Sequence, residues 1–184
     1  MAGDYYYMSE AYYQLLEAEL AAQPVLPTTA DTLDAYVVPL ALEKAKLAKF
    51  PVPEYRLVVD KLPTGVLAYS VNPFSEKMQV ISEGDDLTAK LNSLSRTGKY
   101  AVCCQQLPAD YRMDVLRCVL GHTLIPEYES YALELFKLFR LPLMRVRVIV
   151  TSEAYLFSAI EPLALKELKA EELGLLESLG TWQE

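Results

Sequence analysis

Residues 126–162 constrain the fold of this chain more than any other segment. Their first half has an amphipathic helical pattern, with apolar residues at spacings of three and four: Tyr128, Tyr131, Ala132, Leu135, Phe136 and Phe139. Pro142 cannot continue a helix, and it forces Leu141 out of the helical conformation. The helix must therefore end at this Leu-Pro corner.

The residues after the corner alternate between two faces, as those of a half-buried β-strand do. One face carries Met144, Val146, Val148 and Val150, and the other carries Arg145, Arg147 and Ile149. Residues 151–153 suit a turn, and residues 154–160 suit a returning strand. The segment therefore predicts a helix followed by a β-hairpin, with two arginines on one face of the first strand.

Helical and strand patterns elsewhere predict an α+β fold, because they are mixed rather than strictly alternating. Helices are expected at residues 9–22 with Ser9 as the cap, at 29–37 with Thr29 or Asp31 as the cap, at 87–94 with Asp85 or Asp86 as the cap, and at 164–179. The first of these helices should bury one face, formed by Tyr12, Tyr13, Leu15, Leu16 and Leu20. Pro39 either kinks the second helix or begins another that runs to about residue 47. Strands are expected at 25–26, 55–60, 66–71, 78–81, 100–105 and 111–120, and those within 55–81 suit a meander.

We expect one domain over residues 1–184, built as a mostly antiparallel mixed sheet with amphipathic helices packed on it. Its parts are a helical segment at about 1–50, a strand-rich segment at 51–120 and a helix-hairpin-helix segment at 121–179. A tail at 180–184 contains the only tryptophan, Trp182, and suits the beginning of a linker.

Composition argues against several classes of partner. The 184 residues are 52% hydrophobic and carry a net charge of −8, which argues against nucleic acid or an anionic membrane as the main partner. No apolar run approaches the roughly 18 residues that span a bilayer, and the N-terminus lacks the features of a signal peptide. The odd cysteine count of three favours a reducing compartment, so we expect a cytoplasmic protein.

The sequence contains no self-sufficient catalytic motif. Its glycines form neither of the phosphate-binding patterns G-x-G-x-x-G and G-x-x-x-x-G-K-[ST]. A G-x-S-x-G nucleophile elbow is missing as well. Cys103 and Cys104 lack metal-ligand spacing, and a catalytic pair would have to join Cys118 to the only histidine, His122. The acidic pair at 171–172 is interpreted as a solvated helix face. We therefore expect no catalytic residue, no metal site and no cofactor, and we interpret the thiols as structural.

An N-terminal tyrosine-rich segment is the first candidate for ligand binding. Residues 5–13 contain five of the 13 tyrosines, and the candidate residues are Tyr7, Ser9, Tyr12 and Tyr13. The rings either pack at the edge of the core or form a surface for a ligand or a domain, since tyrosine offers a broad contact area.

Arg145 and Arg147 are the second candidate. Salt bridges between strands, to Glu153, Glu161 or Asp114, are one interpretation of this arginine row. The other is a site for a small anion or carboxylate, because guanidinium groups bind such ligands through paired hydrogen bonds.

Two blocks of the sequence resemble a known family, the RimK-like ATP-grasp N-terminal domain. YMSEAYYQLLEAE at residues 7–19 resembles the family stretch Y-x-S-x-G-Y-Y-x-S-L-L-A-E-A, with Ala11 in place of its glycine. LGHT at 120–123, ALELF at 132–136, LPLMRV at 141–146 and LFSAIEPL at 156–163 resemble its F-G-x-T, its helix, its P-L-L-R-x corner and its x-L-x-S-V-R-P strand. Glu161 replaces the family arginine, and the resemblance covers about residues 5–40 and 118–170 but not 50–110.

This resemblance implies a domain that normally precedes an ATP-grasp ligase. Such ligases activate a carboxylate as an acyl phosphate and join it to an amine, and their nucleotide and Mg²⁺ sites would lie downstream of the domain. The chain would then be a non-catalytic accessory or substrate-engaging domain, with the fused ATP-grasp domain or a protein as its partner. The alternative is a stand-alone cytoplasmic protein-protein interaction module.

Overall fold

A computed structural model describes residues 6–72 and 78–179. Within these residues the expected α+β fold is confirmed, with six α-helices and two antiparallel four-stranded sheets. The chain divides into two compact units. Unit 1 comprises Met1–Ala35, Val115–Val146 and Ile160–Glu184, and unit 2 comprises Tyr36–Asp114 and Arg147–Ala159. The tail at 180–184 with Trp182 lies outside the described residues, and the expectation of a single domain stays a prediction.

The helices begin and end close to the expected positions, except the last one, which was expected from residue 164 and begins at Ala170. They are α1 (Glu10–Leu20), α2 (Thr29–Tyr36), α3 (Val38–Leu47), α4 (Leu87–Ser95), α5 (Glu129–Phe139) and α6 (Ala170–Ser178). Short 3₁₀ turns at Pro126–Tyr128 and Leu165–Glu167 precede α5 and α6. Pro39 begins α3 rather than kinking α2, because proline fits the first turn of a helix.

The first sheet, which lies in unit 2, has a different strand order from the expected meander. It comprises β1 (Tyr55–Val58), β2 (Val66–Ser70), β3 (Met78–Ile81) and β4 (Val102–Gln106), in the order β1-β4-β2-β3. The meander was wrong because β4 lies between β1 and β2. Both central strands are almost wholly buried, whereas β1 is half-exposed, so burial of β4 on two faces requires a central position.

The second sheet contains the predicted hairpin. Its strands are β5 (Arg112–Val119), β6 (His122–Thr123), β7 (Leu143–Val150) and β8 (Tyr155–Pro162), in the order β6-β5-β7-β8. The chain passes from one unit into the other within β5, β7 and β8. Along β7 every residue of the Met144 face except Val150 is buried, while Arg145 and Arg147 are half-buried, which confirms the predicted alternation.

Three local predictions near the N-terminus were wrong. Residues 25–26 form no strand and are half-buried. The cap of α2 is Thr28, whose Oγ1 accepts from the Asp31 N–H at 3.0 Å while Asp31 accepts from the Thr28 N–H at 3.1 Å. On α1, Tyr12 is buried but Tyr13 is exposed, because neighbouring residues of a helix point about 100° apart and cannot share one face. Leu20, also assigned to the buried face, is 80% exposed.

Each unit has its own apolar cluster. In unit 2, α4 packs on one face of the first sheet through Leu87, Leu91 and Leu94, against Val66 and other core residues. In unit 1, the cluster joins the second sheet to the C-terminal segment through Val119, Leu143, Leu163, Leu168, Leu175 and Leu176. The apolar face of α5 is buried as predicted at Ala132, Leu135 and Phe139.

Gly121 provides a test of packing at the turn between β5 and β6. Its φ is +85°, and a Cβ atom there would lie 3.0 Å from Phe136 Cβ and 3.2 Å from Leu133 Cδ1. We expect Gly121→Ala to lower the free energy of unfolding by about 2–4 kcal/mol, measured by urea denaturation.

The matched control is Gly174→Ala in α6, where a Cβ atom would meet nothing within 4 Å. This variant should gain about 0.5–1 kcal/mol from helix propensity. Equal effects of the two substitutions would contradict the packing described at Gly121.

Candidate functional site

Two arginines and three glutamates form one network on the second sheet, entirely within unit 1. Arg117 lies on β5, Arg145 on β7 and Glu161 on β8, so the three side chains come from adjacent strands. Arg145 Nη1 donates to Glu161 Oε1 at 2.8 Å, and its Nη2 donates to Glu167 Oε1 at 3.1 Å. Arg117 binds Glu172 with two nitrogens, from Nε at 2.5 Å and from Nη2 at 2.9 Å. We call these five residues the arginine–glutamate network.

The local sequence of the C-terminal segment orients two of the carboxylates. Glu167 Oε2 accepts from the Ala164 N–H at 3.1 Å, and Glu172 Oε2 accepts from the Lys169 N–H at 2.8 Å. Each glutamate is therefore the third residue of a helical turn, Glu167 in the 3₁₀ turn and Glu172 in α6. Its carboxylate accepts a hydrogen bond from the backbone N–H of the residue just before that turn. The same side chains that cap the two turns bind the arginines of the sheet.

Burial makes these ion pairs stronger than surface pairs. The Glu161 and Glu172 side chains are each 5% exposed, and those of Arg117 and Arg145 are each 21% exposed. Hydrogen bonds from Arg117 hold the pKa of Glu172 below its ordinary value, although burial alone would raise it. Burial likewise tends to raise the pKa of Glu167, but the Ala164 amide and Arg145 outweigh it and the pKa is lowered. Both groups are therefore ionised at neutral pH.

Glu161 was one of the salt-bridge partners proposed for the arginine row, and Arg145 binds it. Asp114 was another, and it pairs with Arg112 at 2.8 Å. Arg147 lies two residues further along β7, is half-buried and belongs to unit 2. Anion binding by Arg145 and Arg147 stays a prediction.

Sequence reasoning missed Glu172, which was interpreted as solvated. It is the buried residue of α6, whereas Leu173 is 39% exposed. A signal was present, because Glu172 follows Leu168 and precedes Leu176 at spacings of four, within the apolar stripe of the helix. A carboxylate in such a stripe requires a cation, and Arg117 supplies it.

The tyrosine-rich segment forms a cluster of rings in unit 1. The Tyr7 and Tyr12 rings meet edge to face with centroids 5.2 Å apart, and those of Tyr12 and Tyr13 are 6.0 Å apart. Ser9 Oγ accepts from the Tyr12 N–H at 3.2 Å and caps α1, as predicted. The structure therefore brings the three predicted rings together, and their ligand-binding role stays a prediction.

The three thiols are buried, and the histidine contacts a glutamate. Cys103, Cys104 and Cys118 are buried, and burial raises their pKa values to about 12, 11 and 12. Cys118 pairs with Thr123 in the ladder between β5 and β6, so its side chain and that of His122 point to opposite faces. His122 Nδ1 lies 2.5 Å from Glu129 Oε1, and Glu129 Oε2 accepts from the Thr123 N–H at 3.1 Å.

The described residues contain neither a candidate metal site nor a membrane-spanning helix. In residues 6–72 and 78–179, no group of three or more His, Cys, Asp or Glu side chains is placed to hold a metal ion. No helix of this part of the chain has both the length and the apolar character needed to cross a membrane.

Solved structures with a similar fold are ATP-grasp proteins. A RimK domain protein ATP-grasp from Sphaerobacter thermophilus matches with a TM-score of 0.61 and 18% identity, over 91% of this chain and 73% of that one. D-alanine–D-alanine ligase from Helicobacter pylori matches with a TM-score of 0.65 and 14% identity, over 90% and 67%. ATP-grasp ligase PsnB, complexed with minimal precursor, Mg and ADP, matches at 0.53 and 14%, over 80% and 56%. At these identities the likeness establishes a shared fold.

The family follows from the sequence itself. The pattern of the RimK-like ATPgrasp N-terminal domain matches residues 67–178, more than half of the chain, and the chain belongs to this family. The match includes the helix and hairpin but not the tyrosine block, and it covers β2, β3 and β4 but not β1, in a region where we expected no resemblance. No curated protein matches the chain.

The ion pair between Arg117 and Glu172 predicts a pH-dependent contribution to stability. Glu172→Gln should lower the free energy of unfolding by about 2–3 kcal/mol at neutral pH, because Arg117 loses its charged partner. The folded pKa of Glu172 is lowered, so its contribution is present above the unfolded value of about 4.3 and is lost as the pH falls through the folded value. Urea unfolding at about pH 7 and at successively lower pH values measures this.

Glu177→Gln is the matched control, since Glu177 lies on the same helix and is exposed. It should change stability by less than about 0.5 kcal/mol. A difference between wild type and Glu172→Gln that stays constant as the pH falls would contradict the ion-pair assignment.

Proposed function

We propose that this chain is a non-catalytic accessory domain associated with an ATP-grasp ligase, where it engages a substrate or docks the catalytic domain. Family membership and the shared fold support the association with ATP-grasp proteins. The observation that carries the non-catalytic role is the arginine–glutamate network, in which the buried carboxylates of Glu161 on β8 and Glu172 on α6 are bound by the chain's own guanidinium groups.

The chemistry of ATP-grasp ligases explains why this pairing matters. Forming an acyl phosphate from ATP requires carboxylate oxygens that hold Mg²⁺ against the phosphates. Glu161 and Glu172 already accept charge-assisted hydrogen bonds, and the Glu172 carboxylate is bound by two guanidinium nitrogens and one backbone amide. A metal ion at either group would have to displace an arginine and leave a buried cation unpaired. The thiols, with raised pKa values, are poor nucleophiles as well.

Two surfaces are proposed to engage the partner or ligand. The first is the tyrosine cluster with Tyr7, Ser9, Tyr12 and Tyr13, where Tyr13 is 46% exposed. The second comprises Arg145 and Arg147, to which we assign a small anionic ligand. Glu167 is the most accessible carboxylate of the network at 40% exposure, so an external carboxylate would replace it on Arg145 rather than displace Glu161.

A stand-alone interaction module is the second candidate function. The exposed apolar side chains of α1, with Leu20 80% exposed, favour a protein partner for this helix. We propose a cytoplasmic location, which the three free, buried thiols support because they suit a reducing compartment. The minimal precursor bound to PsnB supports a precursor of that kind as one class of partner for this chain.

Nucleotide turnover tests the non-catalytic role. Purified chain with ATP and Mg²⁺ should release no ADP above the rate of a buffer blank in a coupled assay, because its buried carboxylates are bound to arginines. Arg117→Met is assayed beside the unmodified chain, because it removes the guanidinium group that binds the Glu172 carboxylate. Turnover that depends on Mg²⁺ in the unmodified chain would refute the proposal.

Thermal shifts test the anionic ligand. Citrate should raise the Tm of the unmodified chain, and Arg145→Met together with Arg147→Met should remove the citrate-induced shift. Glu167→Gln should enlarge that shift, because it removes the internal competitor for Arg145. Arg112→Met is the control, as its ion pair with Asp114 is exposed and lies outside the network. The comparison uses the citrate-induced change in Tm, so loss of basal stability does not affect it.

A further inference from the structure

The strand β1 presents one edge of the first sheet, within unit 2. It pairs with β4 on one side, with Tyr55 opposite Gln105, and the Gln106 N–H donates to the Glu54 carbonyl at 2.8 Å. Hydrogen-bonded positions alternate along an antiparallel ladder, so Glu54 and Arg56 are the positions bonded to β4. Tyr55 and Leu57 therefore direct their backbone N–H and C=O groups to the opposite edge.

No strand among the described residues pairs with β1 along that edge, and the nearest backbone hydrogen bond on that side joins the Phe157 N–H of β8 to the Pro51 carbonyl, four residues before Tyr55. A groove of about 530 Å³ runs along residues 52–57, and its other wall is formed by Glu43 and Lys46 of α3. Leu57 is 53% exposed at this groove. The open backbone groups of Tyr55 and Leu57 are therefore accessible to another extended strand.

The charges on this edge have an unusual arrangement. Glu54 and Arg56 are two residues apart, so their side chains lie on the same side of the strand, and both are exposed. Neither forms a salt bridge with another of the described residues. Edge strands usually carry charges that repel a second strand, whereas these two opposite charges complement a copy of themselves.

We propose that β1 pairs with β1 of a second copy of this chain, in an antiparallel two-fold arrangement centred on Tyr55. This arrangement places Glu54 of each copy directly opposite Arg56 of the other copy. The backbone groups of Tyr55 then bond reciprocally, and the two first sheets continue across the dimer as one sheet of eight strands.

Charge selects this register over its neighbours. In β1, only Tyr55 and Leu57 direct their backbone N–H and C=O groups to the open edge. Two copies of the strand can therefore align through these residues in few ways. If Tyr55 lies opposite Leu57, the two copies of Arg56 face each other. If Leu57 lies opposite itself, Glu54 faces Asp60. Like charges directly opposite destabilise a pair by up to about 1 kcal/mol, so the arrangement centred on Tyr55 is favoured.

The dimer should be weak and dependent on concentration. β1 has four residues, and Pro53 before it has no N–H to extend the ladder. The contact is therefore smaller than the roughly 1,600 Å² of a standard interface. Sedimentation velocity from about 10 µM to about 1 mM should show a monomer that converts to a dimer.

Charge reversal provides the decisive experiment. Glu54→Arg and Arg56→Glu should each weaken self-association by at least about tenfold, because each places two like charges opposite each other twice. The double variant with both substitutions should recover the association of the unmodified chain. An equimolar mixture of the two single variants should form a heterodimer, since one edge then carries two positive charges and the other two negative charges.

Glu83→Arg is the matched control, because it makes the same change in net charge at an exposed turn away from β1. It should leave self-association unchanged, and far-UV circular dichroism checks that every variant is folded. A chain that stays monomeric at every concentration overturns the proposal. So does a dimer that Glu54→Arg does not weaken, since it would form through another surface.

Discussion

Ion pairing between the arginines of the second sheet and the glutamates around them is the interaction on which the rest of unit 1 depends. Transfer of a charge from water into a protein interior costs several kcal/mol, and only a well-placed partner offsets it. Arg117 and Arg145 occupy neighbouring strands, and Glu161, Glu167 and Glu172 meet them within hydrogen-bonding distance. Because two of these glutamates also cap the C-terminal helical turns, the pairing joins the sheet to the segment that packs on it.

The same interaction shapes the functional conclusion. The chain shares the fold of ATP-grasp proteins. Its buried carboxylates, Glu161 on β8 and Glu172 on α6, are bound to guanidinium groups. This pairing is the basis of the binding and docking role that we propose.

Much of the local structure could be predicted, because short-range physics dominates it. The Ser9 and Asp86 caps, the Leu-Pro corner before β7 and the alternation of Arg145 and Arg147 all depend on residues within one turn or one strand. The central position of β4 and the burial of Glu172 could not be predicted in the same way. Both depend on residues about 30 to 55 positions away, which no local pattern identifies.

The sequence by itself determined the element types, the α+β class and the family, since periodicity and motifs are properties of neighbouring residues. Only the tertiary structure decided which charges meet. Arg145 could have faced a ligand or a carboxylate, and the position of β8 and the turn at Leu165–Glu167 supplied two carboxylates. Charged side chains are long and reach partners from any part of the chain, so their pairing is decided by the fold that brings those parts together.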